Sequence, residues 1–139
     1  MDVGNTNGWR LDDVVPAAEI ISRLRADTTL TPLPAQYRGE VAQRFRTTAG
    51  GEVGVIASVT QPFCRDCTRA RLSSDGQLYT CLFAAKGHDL RTPLRTGATD
   101  EDLTRIIGKI WTTRTDRYSE LRTSLTPALP KVEMSAIGG

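Results

Sequence analysis

Cys64-Arg65-Asp66-Cys67, with thirteen residues between Cys67 and Cys81, is the feature that most restricts how this chain can fold, because these are its three cysteines. A C-x2-C knuckle is short enough to aim two thiolates at one ion. Between the knuckle and Cys81, Asp75-Gly76 separates two short strand-like runs within Arg71–Leu82, the pattern of a hairpin. Such a hairpin would bring Cys81 back toward Cys67. Three cysteines cannot all pair within one chain, and Cys64 and Cys67 lie too close together for a secreted disulfide framework. Metal or cluster ligation is therefore the leading expectation. The spacing leaves two donor sets open. His88, seven residues after Cys81, would complete a Cys3His zinc site or else is an ordinary loop histidine. Three thiolates alone would suit a [4Fe–4S] cluster with one iron left open.

The rest of the sequence is that of an ordinary globular domain. Its 139 residues are 39% hydrophobic and 24% charged, enough to bury a core without obligatory staples. No apolar run approaches the roughly 20 residues of a membrane helix, and the opening MDVGNTNGWR lacks a signal-peptide pattern. The expected address is the cytoplasm, with no membrane partner. Eighteen Lys+Arg against sixteen Asp+Glu leave a net charge of +2, far from the balance of most nucleic-acid binders. Aromatic residues make up 6%, and none interleaves Arg69 and Arg71 as a stacking platform; no nucleic-acid partner is expected. Lysine occurs only at 86, 109 and 131, so the cationic groups are mostly guanidinium forks suited to carboxylate or phosphate. On an extended segment Arg69 and Arg71 project to the same face. They form either an anion clamp beside the metal or a solvated surface.

An α+β fold is expected, with helices around antiparallel hairpins. Val14, Ala17, Ala18, Ile21 and Leu24 recur at helical spacing within Asp12–Arg25, with Pro16 in the first turn. Thr31-Pro32-Leu33-Pro34 breaks any helix, and Tyr37–Arg46 reads as extended, with Val41 and Phe45 toward a core. Ala49-Gly50-Gly51-Glu52 is a turn before a strand over Glu52–Thr60. A helix over Asp100–Thr113 would bury Leu103, Ile106, Ile107, Ile110 and Trp111, with Thr99 and Asp102 placed for a capping box. Leu125–Gly139 shows no periodicity.

Phe63-Cys64-Arg65-Asp66-Cys67-Thr68-Arg69-Ala70-Arg71-Leu72-Ser73-Ser74-Asp75-Gly76, followed by Cys81-Leu82-Phe83, resembles the C-terminal part of the radical S-adenosylmethionine GTP 3′,8-cyclases of molybdenum cofactor biosynthesis. The likeness extends to Met1–Trp9, to Asp89-Leu90-Arg91-Thr92-Pro93-Leu94-Arg95 and to Gly138-Gly139. It implies that Cys64, Cys67 and Cys81 hold a second [4Fe–4S] cluster whose open iron is ligated by the guanine of GTP. It also implies that Arg69, Ala70 and Arg71 form the R-A-R motif near the GTP triphosphate. Met1 matches a methionine lining the S-adenosylmethionine site, and Gly138-Gly139 matches a tail that reaches into the active-site pocket. The architecture implied is the end of an incomplete TIM-type barrel over residues 1–35, and a substrate-side cluster domain with its β-hairpin extension over 36–139.

The family's radical-generating C-x3-C-x2-C motif is absent, since the three cysteines are already used. The resemblance therefore implies a truncated chain, inactive alone, that works with GTP and with a separate N-terminal radical half or as a homodimer. Its product would feed a cyclic pyranopterin monophosphate synthase. An incomplete barrel would expose strand edges and invite association. Two other readings stand beside this one: a Cys3His zinc module binding a nucleotide or another phosphate ligand, and a sulfur-carrier tail ending in Gly-Gly. The cysteine triad and helix placement argue against the second.

Overall fold

The structure is a computed structural model, and it describes residues 8–122 and 132–137. The chain divides into two compact units: Arg10–Thr68 with Ser119–Arg122, and Arg69–Tyr118 with the described parts of Met1–Trp9 and Thr123–Gly139.

The first unit packs one helix on one sheet. Helix α1 spans Ala17–Asp27, behind a 3-10 turn at Leu11–Asp13. It begins later than the periodicity suggests because Pro16 is its extended N-cap, and a residue before proline is pushed out of the helical region. Strands β1 (Leu30–Pro32), β2 (Ala42–Thr47) and β3 (Glu52–Ile56) form an antiparallel sheet in that order. The Thr31-Pro32 segment thus contributes an edge strand, a position where proline's missing N–H is tolerated. Pro32 stands opposite Phe45, and Phe45 opposite Val53. Phe45, Leu30 and Ile21 are the buried core, with Leu24 and Val55 packed against them. Strand β3 stops at Ile56 rather than Thr60, because the chain turns there and the Gln61 N–H donates to the Ala57 carbonyl at 2.7 Å. Thr60 instead caps the helix start, its Oγ1 accepting from the Ala17 N–H at 3.2 Å.

The second unit carries a second antiparallel sheet, β4 (Arg71–Leu72), β5 (Gln77–Tyr79) and β6 (His88–Asp89). The hairpin expected around Asp75-Gly76 joins β4 to β5, with Arg71 opposite Tyr79 and Leu72 opposite Leu78. Its turn is not a two-residue type I′ turn, which needs positive φ at both central residues. Among the described residues only glycines have positive φ, and here Gly76 alone does, at 81°. Gly76 donates its N–H to Ser73 O at 2.9 Å, and Ser73 N–H reaches Gln77 O at 3.0 Å. A side chain at Gly76 would also stand 2.7 Å from Arg91 Cβ. Leu78, Tyr79, Thr80 and Ser73 are buried on this sheet. Helices α2 (Arg91–Arg95) and α3 (Asp100–Thr113) follow, and the short helix α4 (Tyr118–Leu121) lies, from Ser119 on, in the first unit.

Helix α3 has the expected capping box: Thr99 Oγ1 accepts from the Asp102 N–H at 3.2 Å, and Asp102 Oδ2 accepts from the Thr99 N–H at 3.1 Å. Its apolar stripe departs from expectation. Leu103, Ile106, Ile110 and Trp111 are only half-buried and Ile107 is 40% exposed. A helical stripe is buried only as far as a facing surface covers it, and no residue of α3 is fully covered.

The cap makes α3 acid-sensitive. Hydrogen bonds from Thr99, chiefly its backbone N–H and then its hydroxyl, hold the Asp102 carboxyl below the ordinary 3.8. A depressed folded pKa contributes stability above the unfolded value and loses it as pH falls through the folded one. Helical circular dichroism should therefore weaken on acidification below the ordinary aspartate range. Thr99→Ala keeps the backbone donor and loses the hydroxyl, so it should reduce that dependence only in part while loosening the first turn at neutral pH.

The α+β class holds, as two small antiparallel sheets with helices and no closed barrel among the described residues. None of their helices is long and apolar enough to cross a membrane.

Candidate functional site

The knuckle forms because Cys64–Asp66 close a 3-10 turn. Asp66 N–H donates to Phe63 O at 3.2 Å and Cys67 N–H to Cys64 O at 3.4 Å, which sets the two cysteines at either end of one tight bend. Arg65 pairs at 4.0 Å with Glu120, whose side chain is 16% exposed, so α4 braces the outside of the bend.

Cys81 follows β5 in the second unit. Its sulfur accepts the Phe83 N–H at 3.5 Å. Phe83 in turn stacks on Tyr118, ring centroids 4.4 Å apart and 16° from parallel. Thr80, buried just before Cys81, is hydrogen-bonded to Asp116 at 2.5 Å. This polar anchor was not foreseen, because its partner lies far along the chain. None of the three cysteines is in a disulfide, and all three are half-buried. Among the described residues no group of three His, Cys, Asp or Glu side chains is gathered so as to hold a metal. His88 is exposed on β6, its backbone paired with Leu78.

Arg69 and Arg71 do share a face. Exposure alternates along the segment, Arg69 and Arg71 half-buried, Ala70 and Leu72 exposed, as it must on extended chain. Arg71 lies in β4, and its Nε is buried with no hydrogen-bond partner among the described residues. A buried guanidinium nitrogen without an acceptor is costly, so this atom suits an acceptor from outside the described residues. Met1, Gly138 and Gly139 lie outside the described residues, while Ile137, just before the terminal glycines, is buried.

A groove of about 360 Å³ also lies in the second unit, between the β4–β5 turn and helices α2 and α3. Leu72, Leu94 and Ile107 are its exposed apolar wall, with Arg91 and Arg95 among its lining residues.

Residues 1–120 match the family Molybdenum Cofactor Synthesis C, and the chain belongs to that family. Over its whole length it is 53% identical to a GTP 3′,8-cyclase of Acidothermus cellulolyticus, 51% to one of Xanthomonas campestris pv. campestris and 46% to one of a Synechococcus species. It spans 46%, 41% and 39% of those proteins, less than half of each.

Proposed function

We propose that this chain is the substrate-side portion of a GTP 3′,8-cyclase, acting in molybdenum cofactor biosynthesis. Cys64, Cys67 and Cys81 hold a [4Fe–4S] cluster, and Arg69 and Arg71 hold the triphosphate of GTP. The observation that carries this reading is the likeness to GTP 3′,8-cyclases along the whole of this chain, with three cysteines outside any disulfide.

The donor types suit such a cluster. Three thiols are present, none in a disulfide, and one already accepts a backbone N–H, while three thiolate ligands leave one iron of four open. His88, exposed on β6, gives the zinc reading no added support. Bound, the cluster supplies an open iron as a Lewis-acidic anchor for the guanine base.

The chain's own residues do the rest. Arg69 and Arg71, on one face of an extended segment, grip phosphate oxygens through forked N–H groups. Ala70 between them keeps the opposite face free of bulk. A nucleotide held at its base and at its phosphates has its ribose fixed between the two anchors, which is the positioning that a 3′,8 ring closure requires. The sequence contains no C-x3-C-x2-C motif, so radical generation is assigned to a separate N-terminal half, with Met1 lining the S-adenosylmethionine site as the resemblance implies. In this reading residues 1–35 descend from the last elements of a barrel and 36–139 form the substrate-side domain. Strand β1 pairs across that boundary with β2, so the two share a sheet. The cyclised product passes to a pyranopterin-forming enzyme, and the whole works in the cytoplasm.

Arg71→Lys tests the phosphate grip. A point charge replaces the fork, so GTP affinity of the anaerobically reconstituted chain should fall about tenfold or more, while guanosine affinity is unchanged. Equal loss for both ligands, or for neither, would contradict the assignment.

A further inference from the structure

Gly39 is far from the knuckle in sequence and against it in space. The turn Tyr37–Glu40 is closed by the Glu40 N–H donating to Tyr37 O at 3.3 Å, and Gly39 occupies its third position with φ 81°, the conformation a type II turn demands there. A Cβ built on Gly39 would stand 2.5 Å from Thr68 Oγ1, 2.9 Å from Thr68 Cγ2 and 2.9 Å from the Asp66 carbonyl oxygen. Asp66 lies inside the C-x2-C bend and Thr68 directly follows Cys67. The Asp66 contact is with backbone, so a side chain at Gly39 could be accommodated only by moving the bend itself.

The turn is held from behind. Glu40 Oε2 accepts the Gln36 N–H at 2.7 Å and its Oε1 accepts Arg44 Nε at 2.8 Å. Arg44 also reaches Glu52 Oε2 at 2.9 Å and Pro34 O at 3.0 Å. The Glu40 side chain is 7% exposed and that of Arg44 17%, so the brace is largely shielded from water. A braced turn on one side and a bend of two metal-ligating cysteines on the other leave room for no atom between them.

We infer that Gly39 is a positioning residue for the cysteine knuckle: its bare α-carbon, held by the Glu40–Arg44 brace, is the surface against which Cys64 and Cys67 are set for metal. This rests on the reading of Cys64 and Cys67 as ligands. It extends that reading to a residue that touches neither metal nor substrate.

Gly50 provides the control. It too has positive φ, 86°, in the same unit, but a Cβ there meets nothing within 4 Å. Gly50→Ala carries the backbone strain alone; Gly39→Ala carries strain and overlap. The full chain and both variants are compared in two ways: iron bound after anaerobic reconstitution, and alkylation rate of each cysteine in the metal-free protein, resolved by mass spectrometry. In Gly39→Ala, Cys64 and Cys67 should be alkylated about tenfold faster than in Gly50→Ala, with Cys81 unchanged and bound iron reduced. Adding Thr68→Ala removes two of the three closest atoms and should recover part of both effects.

Equal behaviour of the two glycine variants would overturn the inference. So would a Gly39→Ala protein in which all three cysteines are alkylated alike and Thr68→Ala recovers nothing, since Gly39 would then serve the fold at large. Failure of the wild-type chain to bind iron would instead count against the cluster reading, and the alkylation pattern would still decide the role of Gly39.

Discussion

Phe45→Ala should destabilise the first unit by about 3–5 kcal/mol, the range for removing a large aromatic side chain from a packed core. Phe45 is 2% exposed and packs with Ile21 and Leu30, so a single substitution opens a cavity where helix α1 meets the sheet. Leu24 and Val55, partly buried against the same cluster, can close only part of it. Chemical denaturation followed by helical circular dichroism gives the measurement. Phe45→Leu, which retains most of the volume, should cost far less. Similar losses for the two would mean that the cluster is not packed as described.

Arg44→Ala should cost a comparable amount through different physics. Arg44 sits beside Phe45 on β2 and so projects to the opposite face, where it reaches Glu40, Glu52 and Pro34 O. Removing it leaves the Glu40 carboxylate, 7% exposed, without its cation. Stranding one member of a buried pair typically costs about 3–5 kcal/mol, whereas removing both is often close to neutral. Arg44→Ala combined with Glu40→Gln should therefore be more stable than Arg44→Ala alone, and a thermodynamic cycle on the two positions measures the coupling. Arg44→Lys should fall between, since one ammonium cannot replace three donors spread over a planar fork. The brace also backs the turn at Gly39, so loss of Arg44 should speed alkylation of Cys64 and Cys67 as well.

Much of the fold could be read along the chain because it rests on local rules. The capping box at Thr99 and Asp102, the core position of Phe45 and the hairpin at Asp75-Gly76 each follow from a few neighbouring residues. Elements that depend on distant partners were not legible. Strand β1 contains a proline and becomes a strand only because β2 offers it an edge. Strand β6 has two residues, too few for any periodicity, and exists because β5 has a free side. The α3 stripe was readable as apolar, but the depth of its burial depends on what faces it, which the helix sequence does not contain.

The site divides in the same way. The C-x2-C spacing and the alternation at Arg69 and Arg71 are local patterns, and the structure gives the first a tight bend and the second a shared face. Gly39 and the Thr80–Asp116 contact carry no local signal, because each acquires its role from an approach between segments far apart in sequence.

The central claim is that three cysteines hold a cluster to which GTP binds. Anaerobic reconstitution with iron and sulfide, followed by iron analysis and electron paramagnetic resonance with and without GTP, tests it most directly. The account predicts about four irons per chain, a signal perturbed by GTP, and loss of both in Cys81→Ala. Stoichiometric zinc with no iron, or an iron signal indifferent to GTP and to Cys81→Ala, would contradict it.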